Sequence, residues 1–441
     1  MPPGDGEADP PRAGPCRRGD GALRRGTAHG HEPREHAGHG MRPFKALISF
    51  EDARRIAMDL VRPMERKETV ALIEAAGRVA AEDVRSRIDV PLADRAAMDG
   101  YAVVARDTAR AQMSRPTILR QLEVLHADTI PRKRVTTGTC TEVATGSTLP
   151  AGANAVVRVE DTERDRKVVK ILAAVHAGQH VVARGADIRR GSIVVRAGEL
   201  LTPAKVGALA AIGAAGARAY SQPRVSILTT GDEIVPPGKP IRAGQVYDIN
   251  SHTIASVVRA HGGVPVLLGR LSDRLSALRA ALHRGIVNDF VVFSGGSSVG
   301  ERDIVVDAVR SMGDLLFHGV AVKPGKPTSL GRVNGKPVLG MPGYPTSCLT
   351  NCYLLLAPML RRMARLPLAQ AQIVEIPLGK RIERATRRLE FHTVRIVDGQ
   401  AFSAFKESSA ITSMAHADGY IEIPADVERL ETGQTVRVTL F

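Results

Sequence analysis

The 441-residue sequence predicts a multidomain chain of mixed α/β and β class. It divides into a β-rich N-terminal region, an α/β domain on a parallel sheet and a small C-terminal β domain. Three observations carry that expectation. Between 223 and 369, strand-length apolar runs alternate with amphipathic helix-length ones, the pattern of a parallel sheet covered on both faces. Residues 87–180 hold short β-prone runs, YAVVA, ANAVVRVE and KVVKIL, broken by Gly and Pro. From about 370 the chain returns to short alternating strands and ends in VRVTLF.

In chain order, residues 1–43 are rich in Gly, Pro, Arg and His and nearly devoid of large apolar side chains. Such a segment cannot offset its chain entropy by burial, so a disordered tail is expected, with Met41 as an alternative start. Its histidines at 29, 31, 36 and 39 read as solvated. SFEDARRIAMDLV then has a Ser49 cap and helical apolar spacing. Residues 44–86, together with 181–222 and its small-residue helix TPAKVGALAAIGA, are expected to form an extended N-terminal or linker domain around the 87–180 β region. The α/β domain (223–369) reads as the strand PRVSILTT, the helix SHTIASVVRA, the strand VPVLLGRL and the Ser-capped helix SDRLSALRAALHRGI. The strand DFVVFSGG and the helices DIVVDAVRSMG and SCLTNCYLLL follow. Residues 370–441 make the last β domain.

Sixty-one Lys and Arg against 46 Asp and Glu give a net charge of +15, which suits a polyanionic partner. Aromatics are 3% of residues and Trp is absent, leaving little to stack bases on, and no nucleic-acid motif occurs. A phosphorylated small ligand is therefore expected rather than nucleic acid. Cysteines 16, 140, 348 and 352 show no zinc spacing, and Cys348 and Cys352, four apart in a helix, read as buried inert thiols. No run reaches transmembrane length and no signal segment is evident, so a soluble cytoplasmic protein without membrane contact is expected.

Candidate chemistry sits in the loops. FSGGSSVGERD (293–303) ends an apolar strand in Gly295-Gly296, whose amides would admit an anion, although a tight turn needs the same glycines. KPGKPTSLG (323–331) holds Lys323 and Lys326 on a loop stiffened by Pro324 and Pro327. MPGYPTS (341–347) places Ser347 near a helix N-terminus. Asp99, Asp187, Glu233 and Asp303 lie beside glycines, where a carboxylate serves Mg²⁺ bound with substrate phosphate, or a cap or surface ion pair.

RAAMDGYAV, VATGSTLPAGANAVVRVED, GADIRRGSIVVRAGELLTP, LTTGDEIV, SGGSSVGERD, KPGKP and MPGYPTS occur in that order. Over about 45–440 the chain thereby resembles the molybdopterin molybdenumtransferase (MoeA) family, which includes the E domain of gephyrin. The resemblance implies a molybdopterin-binding α/β domain and a transferase of molybdenum cofactor biosynthesis. Such an enzyme inserts molybdate into adenylylated molybdopterin and releases AMP, assisted by Mg²⁺ or another divalent cation. It also implies an elongated homodimer, with each active site between the α/β domain of one copy and the N-terminal β region of the other. Contacts with the molybdopterin adenylyltransferase step and with recipient molybdoenzymes follow from the same resemblance. Asp99, Thr145, Glu233, Asp273 and Asp303 match its catalytic positions, Glu233 and Asp303 as metal ligands. Gly295, Gly296, Ser298, Lys323, Lys326, Ser347 and Ser408 match positions for molybdate or pterin phosphate.

A single-domain molybdopterin adenylyltransferase is the nearest rival, but it would lack both the MDGYA region and the terminal β domain. A non-catalytic, gephyrin-like scaffold is the other. The chain departs from the family pattern at Tyr344 in PGYP, at Thr393 where relatives carry Arg, at Glu407 where they carry Gly, and in keeping only Arg184 before GADI.

Overall fold

The computed structural model describes residues 47–295, 304–384 and 386–441. The expected tail at 1–43 lies outside these residues.

The α/β domain is built on six strands in the order Val264–Leu271, Arg224–Thr230, Phe290–Ser294, Lys336–Met341, Ser329–Val333 and Asp314–His318. The first four run parallel, with Val225 opposite Phe290 and Val291 opposite Val338. Ser329–Val333 runs antiparallel to both of its neighbours, so the sheet is mixed rather than parallel throughout. The extra hairpin turns at Asn334-Gly335, both at positive φ, as an Asn-Gly turn favours.

Alternation along the central strand explains why both faces are covered. Phe290 and Val292 join one core with Ile254, Leu339 and Cys348, whereas Val291 and Phe293 join another with Leu278, Leu282 and Val309. The helices Asn250–Ala260, Leu275–Gly285 and Ile304–Met312 lie where the apolar periodicity places them. Helix Leu275–Gly285 starts without the expected serine cap: Arg274 is its N-cap residue, and the Ser272 hydroxyl instead accepts from the Arg274 guanidinium at 3.3 Å. Helix Pro345–Asn351 continues through a π-helical turn, Cys352–Leu356, into Ala357–Met363. Cys348 and Cys352 are both fully buried, as expected of inert thiols.

The N-terminal sheet has the order Ala155–Arg158, Gly100–Val103, Thr139–Val143, Thr117–Leu125, Val168–Ile171 and Thr162–Asp165. Tyr101, Leu119, Cys140, Val157 and Ile171 fill one of its faces. Burial pushes the Cys140 thiol up to about 12, in keeping with a purely structural role. Strand Lys67–Ala71 pairs with Gly216–Tyr220, and helix Pro203–Ala211 is capped by Thr202, around a small core of Val70, Leu201 and Leu209.

Helix Phe50–Leu60 is capped by the Ser49 hydroxyl, which accepts from the Asp52 amide at 3.0 Å, and it buries Ala53 and Ala57 in the α/β core. Downstream, Arg66 grips buried Asp289 through two hydrogen bonds of 3.1 and 2.8 Å, with the Arg224 amide at 2.9 Å and Lys336 at 3.6 Å completing the shell.

The C-terminal sheet orders Val322–Lys323, Leu389–Val397, Gly419–Ile423, Thr435–Leu440 and Ile373–Pro377, with Gln400–Ser403 beside the second. Its first strand comes from the sequence of the α/β domain. Among the described residues, no helix is long and apolar enough to cross a membrane.

Candidate active site

The four parallel strands of the α/β sheet end on one edge, and on such sheets ligands sit in the crevice beyond that edge. Gly231 follows strand Arg224–Thr230 at φ +140°, and a Cβ there would lie 2.7 and 2.8 Å from the Glu233 carboxylate oxygens. Only glycine lets Glu233 fold back over the strand end. Gly295 follows the central strand at φ +95°, where a Cβ would lie 2.4 Å from the Thr230 carbonyl oxygen. The loops are tied by Asn250, which donates from Nδ2 to the Ser294 hydroxyl at 2.7 Å and to the Gly343 carbonyl at 2.8 Å.

Glu233 and Asp273 come together at this edge, with Asp232 beside them. Partial burial raises the Asp273 carboxyl above the ordinary range; the Thr230 hydroxyl opposes the rise, and the charges of Glu233 and Asp232 add to it. No three His, Cys, Asp or Glu side chains are placed to hold a metal ion among the described residues. The carboxylates of Glu233 and Asp273 do gather hard oxygen donors at this edge, the donor type a divalent cation takes. Gly296, Ser298 and Asp303 lie outside the described residues.

The lysine loop is not free-standing. Lys323 pairs with Glu390 in a parallel ladder, and its ammonium lies 3.5 Å from the Glu390 carboxylate and 5.3 Å from the centre of the Phe405 ring. Gly325, at φ +112°, leaves room for the Asn351 side chain, which would meet a Cβ there at 2.5 Å. Asn351 donates to the Gly325 carbonyl at 3.3 Å and to the Thr328 hydroxyl at 2.6 Å, pinning the turn from the helix beneath. Lys326 is half-buried, and its carbonyl accepts from the Val320 amide at 2.9 Å.

Ser347 sits in the first turn of helix Pro345–Asn351 and is buried. The Ser408 loop docks on that helix start: the Thr346 amide donates to the Ser408 carbonyl at 3.1 Å, and the Thr346 hydroxyl to the Ala410 carbonyl at 2.8 Å. The structure therefore brings Ser347 and Ser408 into one neighbourhood, while Tyr344 is left 63% exposed at its rim.

Asp99 and Thr145 form a separate pair on the N-terminal sheet, at the ends of adjacent strands. The Asp99 carboxylate accepts from the Thr145 amide at 2.6 Å and the Thr145 hydroxyl at 2.9 Å, and these two bonds hold it below the usual carboxylate range despite some desolvation. Among the described residues no hydrogen bond links this pair to Glu233 or Asp273.

Three further residues carry the geometry without having been read from the sequence: Asn250, Asn351 and Glu390. A buried Asn in an otherwise apolar helix was the available signal for Asn351; Glu390 and Asn250 offered none. Thr393 is buried in the C-terminal sheet. Its hydroxyl is buried and lacks a hydrogen-bond partner, in an apolar seam lined by Tyr353, Phe391, Tyr420 and Phe441. Arg184 is engaged by Asp89 at 2.7 Å.

Comparison with known proteins accords with this architecture. Residues 48–213 match the MoeA N-terminal region (domain I and II), 226–362 a probable molybdopterin binding domain, and 375–441 the MoeA C-terminal region (domain IV). Molybdopterin molybdenumtransferase 2 of Mycobacterium tuberculosis is 32% identical over 89% of this chain and 99% of its own. Molybdopterin molybdenumtransferase of Bacillus subtilis is 29% identical over 85% and 90%. A molybdopterin biosynthesis MoeA protein from Pyrococcus horikoshii superposes with a TM-score of 0.74 at 31% identity, covering 90% of this chain and all of the other.

Proposed function

Since the chain belongs to the molybdopterin molybdenumtransferase family, we propose that it transfers molybdate to adenylylated molybdopterin and releases AMP. The single observation that best supports this reading is the crowding of Glu233 and Asp273 at the strand edge that also carries the Gly295 turn. An acidic cluster beside an anion cradle suits a cation-bridged phosphoanhydride. Glu233 and Asp303, with Asp273 near, would hold Mg²⁺, which when bound would neutralise phosphate charge and ease departure of AMP. Gly295, whose own amide donates to the Met341 carbonyl at 3.3 Å, would make the turn at which the Gly296 amide and the Ser298 hydroxyl receive the pterin phosphate or the oxyanion. Lys323, Lys326, Ser347 and Ser408 would bind molybdate, the lysines balancing charge that builds at the breaking bond. No covalent enzyme intermediate is required: charge stabilisation and placement suffice for phosphoanhydride cleavage.

Asp99 and Thr145 join the scheme across a homodimer, their mutual bonds holding the carboxylate charged toward the partner's crevice. The protein would act in the cytoplasm, between the adenylyltransferase step and the recipient molybdoenzymes. The deciding experiment follows AMP release from adenylylated molybdopterin with molybdate and Mg²⁺. A homogeneous protein that binds the substrate and releases no AMP would refute the proposal and favour the scaffold reading.

A further inference from the structure

Glu390 is 2% exposed, yet its carboxylate collects three polar partners. Its Oε1 lies 3.0 Å from His392 Nδ1, and His392 Nε2 lies 2.8 Å from the Ser403 hydroxyl. Because Nδ1 faces a carboxylate it carries the ring proton, leaving Nε2 to accept from Ser403 in the neutral ring. Oε2 is shared by Arg384 at 3.4 Å and Lys323 at 3.5 Å. Burial works against ionisation of Glu390, but the His392 hydrogen bond, the charges of Lys323 and His392 and the Arg384 hydrogen bond outweigh it and lower its pKa.

Arg384, itself 1% exposed at the side chain, also donates to the carbonyls of Pro424, Val427 and Arg388. Arg384 and His392 already give this carboxylate a buried cation and a donor. Lys323 is a third partner, delivered by an edge strand that leaves the α/β domain to pair with Leu389–Val397. A flexible lysine gains two fixed surfaces there, a carboxylate at its head and the Phe405 ring at 5.3 Å, and the same ring packs on His392 with centroids 5.3 Å apart.

We infer that Glu390 is the positioning residue for Lys323, holding its ammonium aimed at the oxyanion before substrate arrives. The inference rests on the assignment of Lys323 to molybdate made above. Ordering a lysine costs rotamer entropy, and a preformed clamp removes that cost from the bound state. His392 and Ser403 keep the Glu390 carboxylate turned so that Oε2 faces the lysine.

The test compares the full-length protein with Glu390→Gln, Lys323→Ala and the double variant, reading molybdate KM and kcat for AMP release. Amine acylation of Lys323, mapped by mass spectrometry, is measured alongside. Glu390→Gln is expected to speed Lys323 acylation and to cut turnover by about tenfold, the scale of a charge-assisted contact. In the Lys323→Ala background the same substitution is expected to cost almost nothing, since residues acting through one another are not additive. Glu390→Asp, which keeps the charge, should recover part of the loss and serves if Gln impairs folding. Equal losses in both backgrounds, or unchanged acylation, would overturn the inference and leave Glu390 a structural ion. Faster acylation beside a silent Lys323→Ala would instead show that the clamp exists and that Lys323 was wrongly assigned to the oxyanion.

Discussion

Asp273→Asn should make the protein more stable and less active at the same time. In the folded state its carboxyl is raised by partial burial and by the charges of Glu233 and Asp232. At neutral pH both folded and unfolded chains hold Asp273 ionised, and the folded one bears a repulsion the unfolded one lacks. Removing the charge removes that deficit. Because Asp273 is largely exposed, the gain is held to the surface ion-pair scale, about 0.2–1 kcal/mol. For a domain of this size that is up to about 4 °C in Tm. The sign can be followed with pH. On acidification the folded state takes up the proton first, so the wild type recovers through its raised pKa, and the advantage of Asn vanishes below the ordinary aspartate value of about 3.9. Mg²⁺ provides the second arm: a cation at 100 times its Kd adds about 2.7 kcal/mol to the wild type and correspondingly less to the variant. Thermal melting at pH 7 and pH 3.5, with and without Mg²⁺, reads all of this. A destabilised Asp273→Asn at pH 7, or a gain that persists at acid pH, would refute the electrostatic account.

Other substitutions separate scaffold from chemistry. Gly295→Ala meets both a positive φ and the Thr230 carbonyl, so a loss of about 1–3 kcal/mol in stability is expected, seen in urea unfolding, with AMP release falling further. Asp289→Ala strips the shared partner of Arg66, Lys336 and the Arg224 amide; because both cations are part-exposed and can be solvated, the cost is expected at about 1–3 kcal/mol, read as a lowered Tm. Thr393→Val deletes a buried hydroxyl without a partner and should stabilise by about 1 kcal/mol at unchanged molybdate affinity; a loss of affinity would return Thr393 to the site.

The sequence made the α/β domain legible because its strands are continuously apolar and its helices strictly periodic. Phe290–Ser294 and Asn250–Ala260 could hardly have been anything else. The Ser49 cap was legible for the same local reason. The mixed character of the sheet was not read, although Asn334-Gly335 between apolar runs is a hairpin signal in its own right. Motif order identified the loops, and the crevice brings Glu233, Asp273 and Gly295 to one edge. What no local pattern carries is pairing at long range. Lys323 and Glu390 are 67 positions apart, joined by a two-residue ladder and a buried carboxylate. Likewise, a Thr at 393 reads as a lost donor in a motif, whereas packing places it in an apolar seam, because only the fold decides which face of that strand is dry.

The Val322–Lys323 edge strand also bears on modularity. The chain looks separable near 370, and a builder of chimaeras would cut there. Yet a graft from a relative would arrive with its own counterpart of Leu389–Val397, and that strand must accept the host's lysine in register and bring a carboxylate opposite it. Recombination at this junction therefore inherits a matching condition that the sequence at the junction does not display. A chimaera joined here keeps the native pairing of 323 with 390 only by choosing both residues together, even though the apparent domain border falls between them.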